Sequence, residues 1–66
     1  MTGIRVNGEE RQTEASTVSG LLSELGIVAS IIIVEKNGAI LTRDRHASET
    51  VTEGDRFELI KLMGGG

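Results

Sequence analysis

The sequence predicts a small α+β domain in which one helix packs on one face of a β-sheet. Two Asn-Gly pairs, Asn7-Gly8 and Asn37-Gly38, each join short stretches suited to strands. This dipeptide is the strongest short-range signal of a β-hairpin because both residues tolerate positive φ. Between the two pairs lies one stretch with the apolar spacing of a helix. Strands interrupted by a single helix are typical of an α+β domain.

The first hairpin precedes the helix. Ile4 and Val6 alternate with Gly3 and Arg5, which favours a short first strand. Residues 9–13 follow the Asn-Gly turn and include no large apolar side chain. We therefore expect them to form a polar strand at an edge of the sheet.

One complete apolar stripe defines the helix. Ser16 or Thr17 is the expected N-cap, and Gly26 stands where a helix C-terminal glycine belongs. Gly20, inside the helix, costs about 1 kcal/mol relative to alanine, which indicates a close neighbour there. Since a helix of two turns is marginal alone, we expect it to dock on the sheet. The stripe at i, i+3, i+4 and i+7 consists of Val18, Leu21, Leu22 and Leu25.

The second half of the chain supplies three further strands. Residues 31–34 are β-branched throughout, which favours a strand covered on both faces. The second Asn-Gly turn leads back into residues 39–41. Residues 42–50 show no clear period, and we interpret them as a surface connection with a turn of helix near residues 44–48. The final strand is predicted over residues 56–62, after a tight turn at Glu53-Gly54-Asp55.

Alternation along the final strand separates two faces. Phe57 and Leu59 are predicted to point to the helix, and Ile60 and Leu62 to the opposite face. With Met63, these two residues would form an apolar patch that binds a partner beside the C-terminus. The alternative is a set of scattered surface hydrophobic residues, which needs no functional explanation.

Composition excludes several classes of function. The 66 residues are 38% hydrophobic and 26% charged, as in one small soluble domain. The absence of cysteine and the single histidine argue against thiolate and multi-histidine metal sites. A net charge of −3 and a single aromatic residue argue against nucleic-acid binding. With neither a long apolar run nor a signal peptide, we expect a cytoplasmic protein without membrane association.

Three consecutive glycines, Gly64, Gly65 and Gly66, end the sequence. Ordering glycine costs more entropy than ordering other residues, so we expect a flexible tail over residues 64–66 after a domain over residues 1–63. We interpret the tail as a tether that presents the Gly66 carboxylate to the active site of another protein. The alternative is a frayed or artificial end.

The chain as a whole resembles the ubiquitin-like β-grasp fold and, more closely, the ThiS sulfur carriers of bacterial thiamine biosynthesis. In two respects it departs from them: His46 replaces an aromatic residue common after the arginine segment, and the chain ends in three glycines where many members have two. The resemblance implies a mixed sheet of four to five strands with one helix on one face. It rests on the Thr17-led helix with Leu21-Leu22, the run 34–38 into Ile40 and Leu41, Arg43, the turn 53–55, and a strand ending in glycines.

The resemblance also implies a carrier cycle in which this chain is a co-substrate and not an enzyme. A ThiF-like partner would use ATP and magnesium to adenylate the Gly66 carboxylate. A cysteine desulfurase or another persulfide donor would supply sulfur for a terminal thiocarboxylate, which a ThiG-like thiazole synthase would consume. The sequence has no phosphate-binding loop, so we expect this chain to bind no cofactor or metal and the ATP site to belong to the partner.

Three other functions are compatible with the same pattern. The small subunit of molybdopterin synthase uses the same thiocarboxylate, although such chains are usually longer. A ubiquitin-like modifier would join Gly66 to lysines, and a plain β-grasp interaction module would have an inert tail. His46 is interpreted as a surface side chain, since no motif places a nucleophile for it to assist.

Overall fold

A computed structural model describes residues 1–62. The strands form one mixed sheet in the order β2-β1-β5-β3-β4. β1 runs parallel to β5, and the other neighbours are antiparallel. This arrangement confirms the predicted α+β class. The elements are β1 (Thr2–Val6), β2 (Glu9–Thr13), α1 (Val18–Leu25), a 3-10 helix (Ala29–Ile31), β3 (Ile32–Lys36), β4 (Ala39–Leu41), a second 3-10 helix (Arg43–Arg45) and β5 (Arg56–Lys61).

Both predicted hairpins are present. Asn7 and Gly8 have φ of 51° and 83°, and Asn37 and Gly38 have φ of 52° and 89°. Positive φ at both central residues is the signature of the type I′ turn, whose twist matches that of the flanking strands. β2 lies at the edge of the sheet, as its polar sequence predicts.

Helix α1 begins and ends at the predicted residues. Thr17 is the N-cap, and its Oγ1 accepts a hydrogen bond from the Gly20 N–H at 3.2 Å. Gly26 closes the helix in the left-handed conformation with φ of 72°. A Cβ at Gly20 would lie 3.4 Å from the Cβ of Ala15, so the expected close neighbour is present. Ser16, the alternative cap, is not used.

The core lies between α1 and one face of the sheet. Phe57 on β5 is buried, and Leu59 packs against the core, so the predicted direction of both side chains is confirmed. The helix contributes one stripe, and the central strands contribute the facing residues. The buried apolar residues are Ile4, Val18, Leu21, Leu22, Ile32, Val34, Val51 and Phe57. No helix among residues 1–62 combines the length and apolar character that a membrane crossing requires.

The connection after β4 is more than a surface loop, and the interpretation of His46 as a surface side chain is wrong. Val18 N–H donates to Glu49 O and Ser19 N–H donates to His46 O, both at 2.9 Å. These bonds satisfy free N–H groups of the first helical turn. They also hold the connection against the helix, so that His46 is only 3% exposed. A short 3-10 helix, starting one residue before the predicted turn, leads into it.

A partly buried polar network connects this segment to β3. Lys36 Nζ lies 3.0 Å from Glu49 Oε2, 2.8 Å from Thr50 O and 3.7 Å from Asp55 Oδ2. Asp55 is 7% exposed. Its Oδ2 accepts hydrogen bonds from the N–H and the hydroxyl of Thr52 at 2.8 and 3.0 Å. Burial of these groups is tolerated because each charged atom has partners.

Candidate functional site

Strand β5 leads directly to the C-terminal end of the chain. It lies in the middle of the sheet, between β1 and β3. Beyond its last residue, the Leu62 N–H still donates to Ile31 O at 2.8 Å. Met63 and the glycines Gly64, Gly65 and Gly66 lie outside the described residues. At about 3.3–3.6 Å per extended residue, a carboxylate four residues further on lies within roughly 14 Å of Leu62.

The face of the sheet opposite the helix carries an apolar patch, defined here as Ile33, Ile40, Ile60 and Leu62. Ile60 pairs directly with Ile33 on β3. Ile60 is 44% exposed, Leu62 54% and Ile40 66%. Ile40 pairs with Glu35, which places it diagonally from Ile33 and within reach of it. Apolar side chains of this size, grouped on one exposed face, are typical of an interaction surface.

The sequence predicted only part of this patch. It placed Ile60 and Leu62 on the open face, where the structure also has them, and their role in partner binding stays a prediction. It missed Ile33 and Ile40. The signal was available, because the Asn37-Gly38 turn fixes the register that brings β4 beside β3.

Charged side chains form two bands next to the apolar patch. Glu58 pairs with Glu35 in the row that adjoins Ile60, although like charges directly opposite each other destabilise a sheet. One row further, Arg56 lies opposite Arg5. The patch is therefore bordered by negative charge on the side away from the C-terminus, and such a border favours a partner with a basic rim.

The described part of the chain shows no cluster of metal-binding side chains. Among residues 1–62, no group of three or more histidine, cysteine, aspartate or glutamate side chains is placed to hold a metal ion. The reactive group that the sequence suggests is the terminal carboxylate of Gly66, which lies outside the described residues, and its role stays a prediction.

Comparison with known proteins identifies the family. The model of the ThiS family matches residues 4–66. The chain belongs to the ThiS family. The crystal structure of the thiamine biosynthesis protein ThiS from Geobacter metallireducens superimposes with a TM-score of 0.85 at 35% identity, covering 98% of this chain and 100% of that one. The ubiquitin-like β-grasp fold follows from this match.

Two named relatives differ in how much of their length is similar to this chain. The sulfur carrier protein ThiS of Bacillus subtilis is 26% identical over 65 residues, covering 96% of this chain and 98% of the relative. A thiazole synthase of Paramagnetospirillum magneticum is 42% identical over 62 residues, covering 92% of this chain and 19% of that protein. The chain spans about a fifth of the length of the thiazole synthases that it matches.

Proposed function

We propose that this protein is a sulfur carrier for thiazole formation in thiamine biosynthesis, and that sulfur travels on its C-terminus. The carboxylate of Gly66 is adenylated, converted to a thiocarboxylate, and consumed by thiazole synthase. The observation that carries the proposal is membership of the ThiS family over residues 4–66, a match that includes the glycine tail. The domain acts as a co-substrate of its partner enzymes.

The chemistry of the terminus requires a partner with ATP. A terminal carboxyl has a pKa of about 3.3–3.7, so at neutral pH it is an anion and a poor electrophile. A ThiF-like enzyme joins the carboxylate oxygen to the α-phosphate of ATP, with magnesium, and pyrophosphate leaves. A persulfide from a cysteine desulfurase or a similar donor then attacks the carbonyl and AMP leaves. A thiol cleaves the resulting S–S bond, and the thiocarboxylate remains.

The glycines make the terminus accessible to enclosed active sites. Gly64, Gly65 and Gly66 have no Cβ atoms, so a channel too narrow for other residues admits them. The same lack of side chains means that the tail itself offers an enzyme only backbone groups. Ile60, Leu62 and Met63 provide the adjoining apolar contact in this proposal, and the acidic border of Glu35 and Glu58 matches a basic rim on the partner.

Thiazole synthase is the proposed acceptor because proteins of that name contain a segment similar to this chain. A carrier and a synthase within one polypeptide meet at a high effective concentration. A carrier that is a separate protein lacks this advantage. It must bind the synthase through contacts of its own, which in this proposal are the apolar patch and the tail.

Intact-mass analysis tests the proposal. After co-expression with an active adenylating partner and a persulfide donor, we expect a species heavier by the mass difference between sulfur and oxygen. A variant lacking Gly66 is the control and should keep its mass and its fold. An unchanged mass of the wild-type protein, under conditions in which the partner adenylates its own carrier, would contradict the proposal.

A further inference from the structure

Strand β5 is longer than its neighbour β1, so one side of it is only partly covered. The parallel pairing of β1 with β5 ends at Val6 and Phe57. Asn7 extends the contact: its N–H donates to Phe57 O at 2.9 Å, and its Oδ1 accepts from the Leu59 N–H at 2.8 Å. The chain then turns away at Gly8 into β2.

The antiparallel pairing with β3 determines where the remaining backbone groups of β5 point. Asn37 N–H donates to Arg56 O at 2.7 Å, and Leu62 N–H donates to Ile31 O at 2.8 Å. In such a pair every second residue turns both backbone groups to the partner strand, and the residues between turn theirs away. Leu59 and Lys61 are of the second kind.

Three backbone groups of β5 therefore point to the side on which β1 lies, but beyond the end of β1. They are the carbonyl of Leu59 and the N–H and carbonyl of Lys61, and we name them the gap edge. No hydrogen-bond partner for them lies among residues 1–62. Unpaired groups on a strand are a template for pairing with another chain.

A cleft of about 300 Å³ lies beside the gap edge. Its lining combines apolar residues from the strands, from α1 and from the segment after α1 with polar residues of β2 and of the turn before it. It can accept a side chain from a strand that pairs with β5, while the next side chain of that strand would point to the opposite face. The apolar lining consists of Val6, Leu25, Ile27 and Leu59.

We propose that thiazole synthase adds an extended backbone segment to the gap edge. This inference rests on the proposed function. An enzyme that reacts at Gly66 must come within about 14 Å of Leu62, which is the neighbourhood of the gap edge.

Lys61→Pro tests the proposal because it deletes one N–H of the gap edge. The pairing with β3 does not use this N–H, and proline is tolerated where a strand N–H faces away from its neighbours. Gln12→Pro is the matched control, since Gln12 pairs with Gly3 at a position whose N–H faces outward from edge strand β2. One net hydrogen bond contributes about 0.5–1.5 kcal/mol, so Lys61→Pro should weaken binding of thiazole synthase roughly 2- to 13-fold. Gln12→Pro should bind like the wild type.

Hydrogen exchange of the wild-type protein provides a second measurement that needs no variant. The Lys61 amide should exchange more slowly in the complex with thiazole synthase, and the Gln12 amide should not change. Equal binding of folded Lys61→Pro and wild type, or no protection of Lys61 in the complex, overturns the proposal. Protection that appears with rising carrier concentration alone would assign the gap edge to a second copy, and would also overturn it.

The outcomes separate this inference from the proposed function. A wild-type carrier that acquires sulfur but leaves the gap edge unprotected in the complex retains the carrier function and loses the strand-addition site. A carrier that never acquires sulfur loses the proposed function, and the exchange experiment then decides only whether the edge binds the synthase.

Discussion

Replacing Asp55 by asparagine should destabilise the fold because the Asp55 side chain joins the turn before β5 to the hairpin between β3 and β4. Its carboxylate accepts two hydrogen bonds from Thr52 and one from Asn37 Nδ2 at 3.0 Å, and lies 3.7 Å from Lys36 Nζ. Asparagine keeps the size and one acceptor oxygen. It removes the charge, however, and directs an NH₂ group at donors.

The expected cost is about 2 kcal/mol, because a hydrogen bond to a charged group contributes about 1.5–3 kcal/mol and one acceptor is retained. For a domain of this size that corresponds to a fall in Tm of about 8–16 °C. Urea unfolding followed by far-ultraviolet circular dichroism measures it, since the chain has neither tryptophan nor tyrosine. Glu9→Gln, which removes an exposed carboxylate, is the control and should change stability by less than about 0.5 kcal/mol.

The stability difference between wild type and Asp55→Asn should also depend on pH, in a direction that follows from the pKa of Asp55. Burial by itself raises the pKa of the Asp55 carboxyl, but the hydrogen bonds from Thr52 and Asn37, helped by the charge of Lys36, outweigh burial and hold the net pKa below its usual value. The stabilisation is therefore present above the unfolded pKa of about 3.9 and is lost as pH falls through the folded value. The difference in stability between wild type and Asp55→Asn should shrink on acidification. A difference below about 0.5 kcal/mol at neutral pH, or one that grows in acid, would refute the reasoning.

Three further predictions concern single residues. Ile60→Asp or Leu62→Asp should weaken partner binding at least tenfold with little change in Tm, because both side chains are exposed; a lower Tm with unchanged affinity would show that the open face is misassigned. Thr17→Ala should cost about 1 kcal/mol in urea unfolding through loss of the helix cap, and a loss below about 0.3 kcal/mol would show that the cap contributes little. His46→Phe should raise stability by about 1 kcal/mol at neutral pH, since the buried Nε2 has no partner among the described residues; a loss of stability would mean that Nε2 is satisfied or that the larger ring does not fit.

The features that sequence predicts well here are local. The Thr17 cap, the Gly26 end of the helix and both Asn-Gly turns depend on residues within one turn of each other, so propensity and capping chemistry suffice. The alternation along β5 likewise predicts that Phe57 faces the core. Side chains of any strand alternate between the two faces of the sheet, whatever the rest of the fold.

The features that sequence missed depend on contacts between distant segments. His46 is buried because its carbonyl accepts from Ser19 on the helix, and no pattern near His46 reveals that bond. The gap edge exists because parallel strand β1 ends before β5 does, and this difference appears only when the two ends of the chain are paired. The apolar patch was only partly predictable. The register of the hairpin between β3 and β4, which its Asn-Gly turn fixes, would have placed Ile40 on the open face.

Sulfur transfer from Gly66 to the thiazole is the step on which the proposed function depends. Carrier bearing isotopically labelled sulfur in its terminal thiocarboxylate is mixed with thiazole synthase and its remaining substrates, and the thiazole product is analysed by mass spectrometry. We expect the label to appear in the thiazole ring and the carrier to be released with an ordinary carboxylate. Unlabelled thiazole formed while the label stays on the carrier would contradict the proposed function.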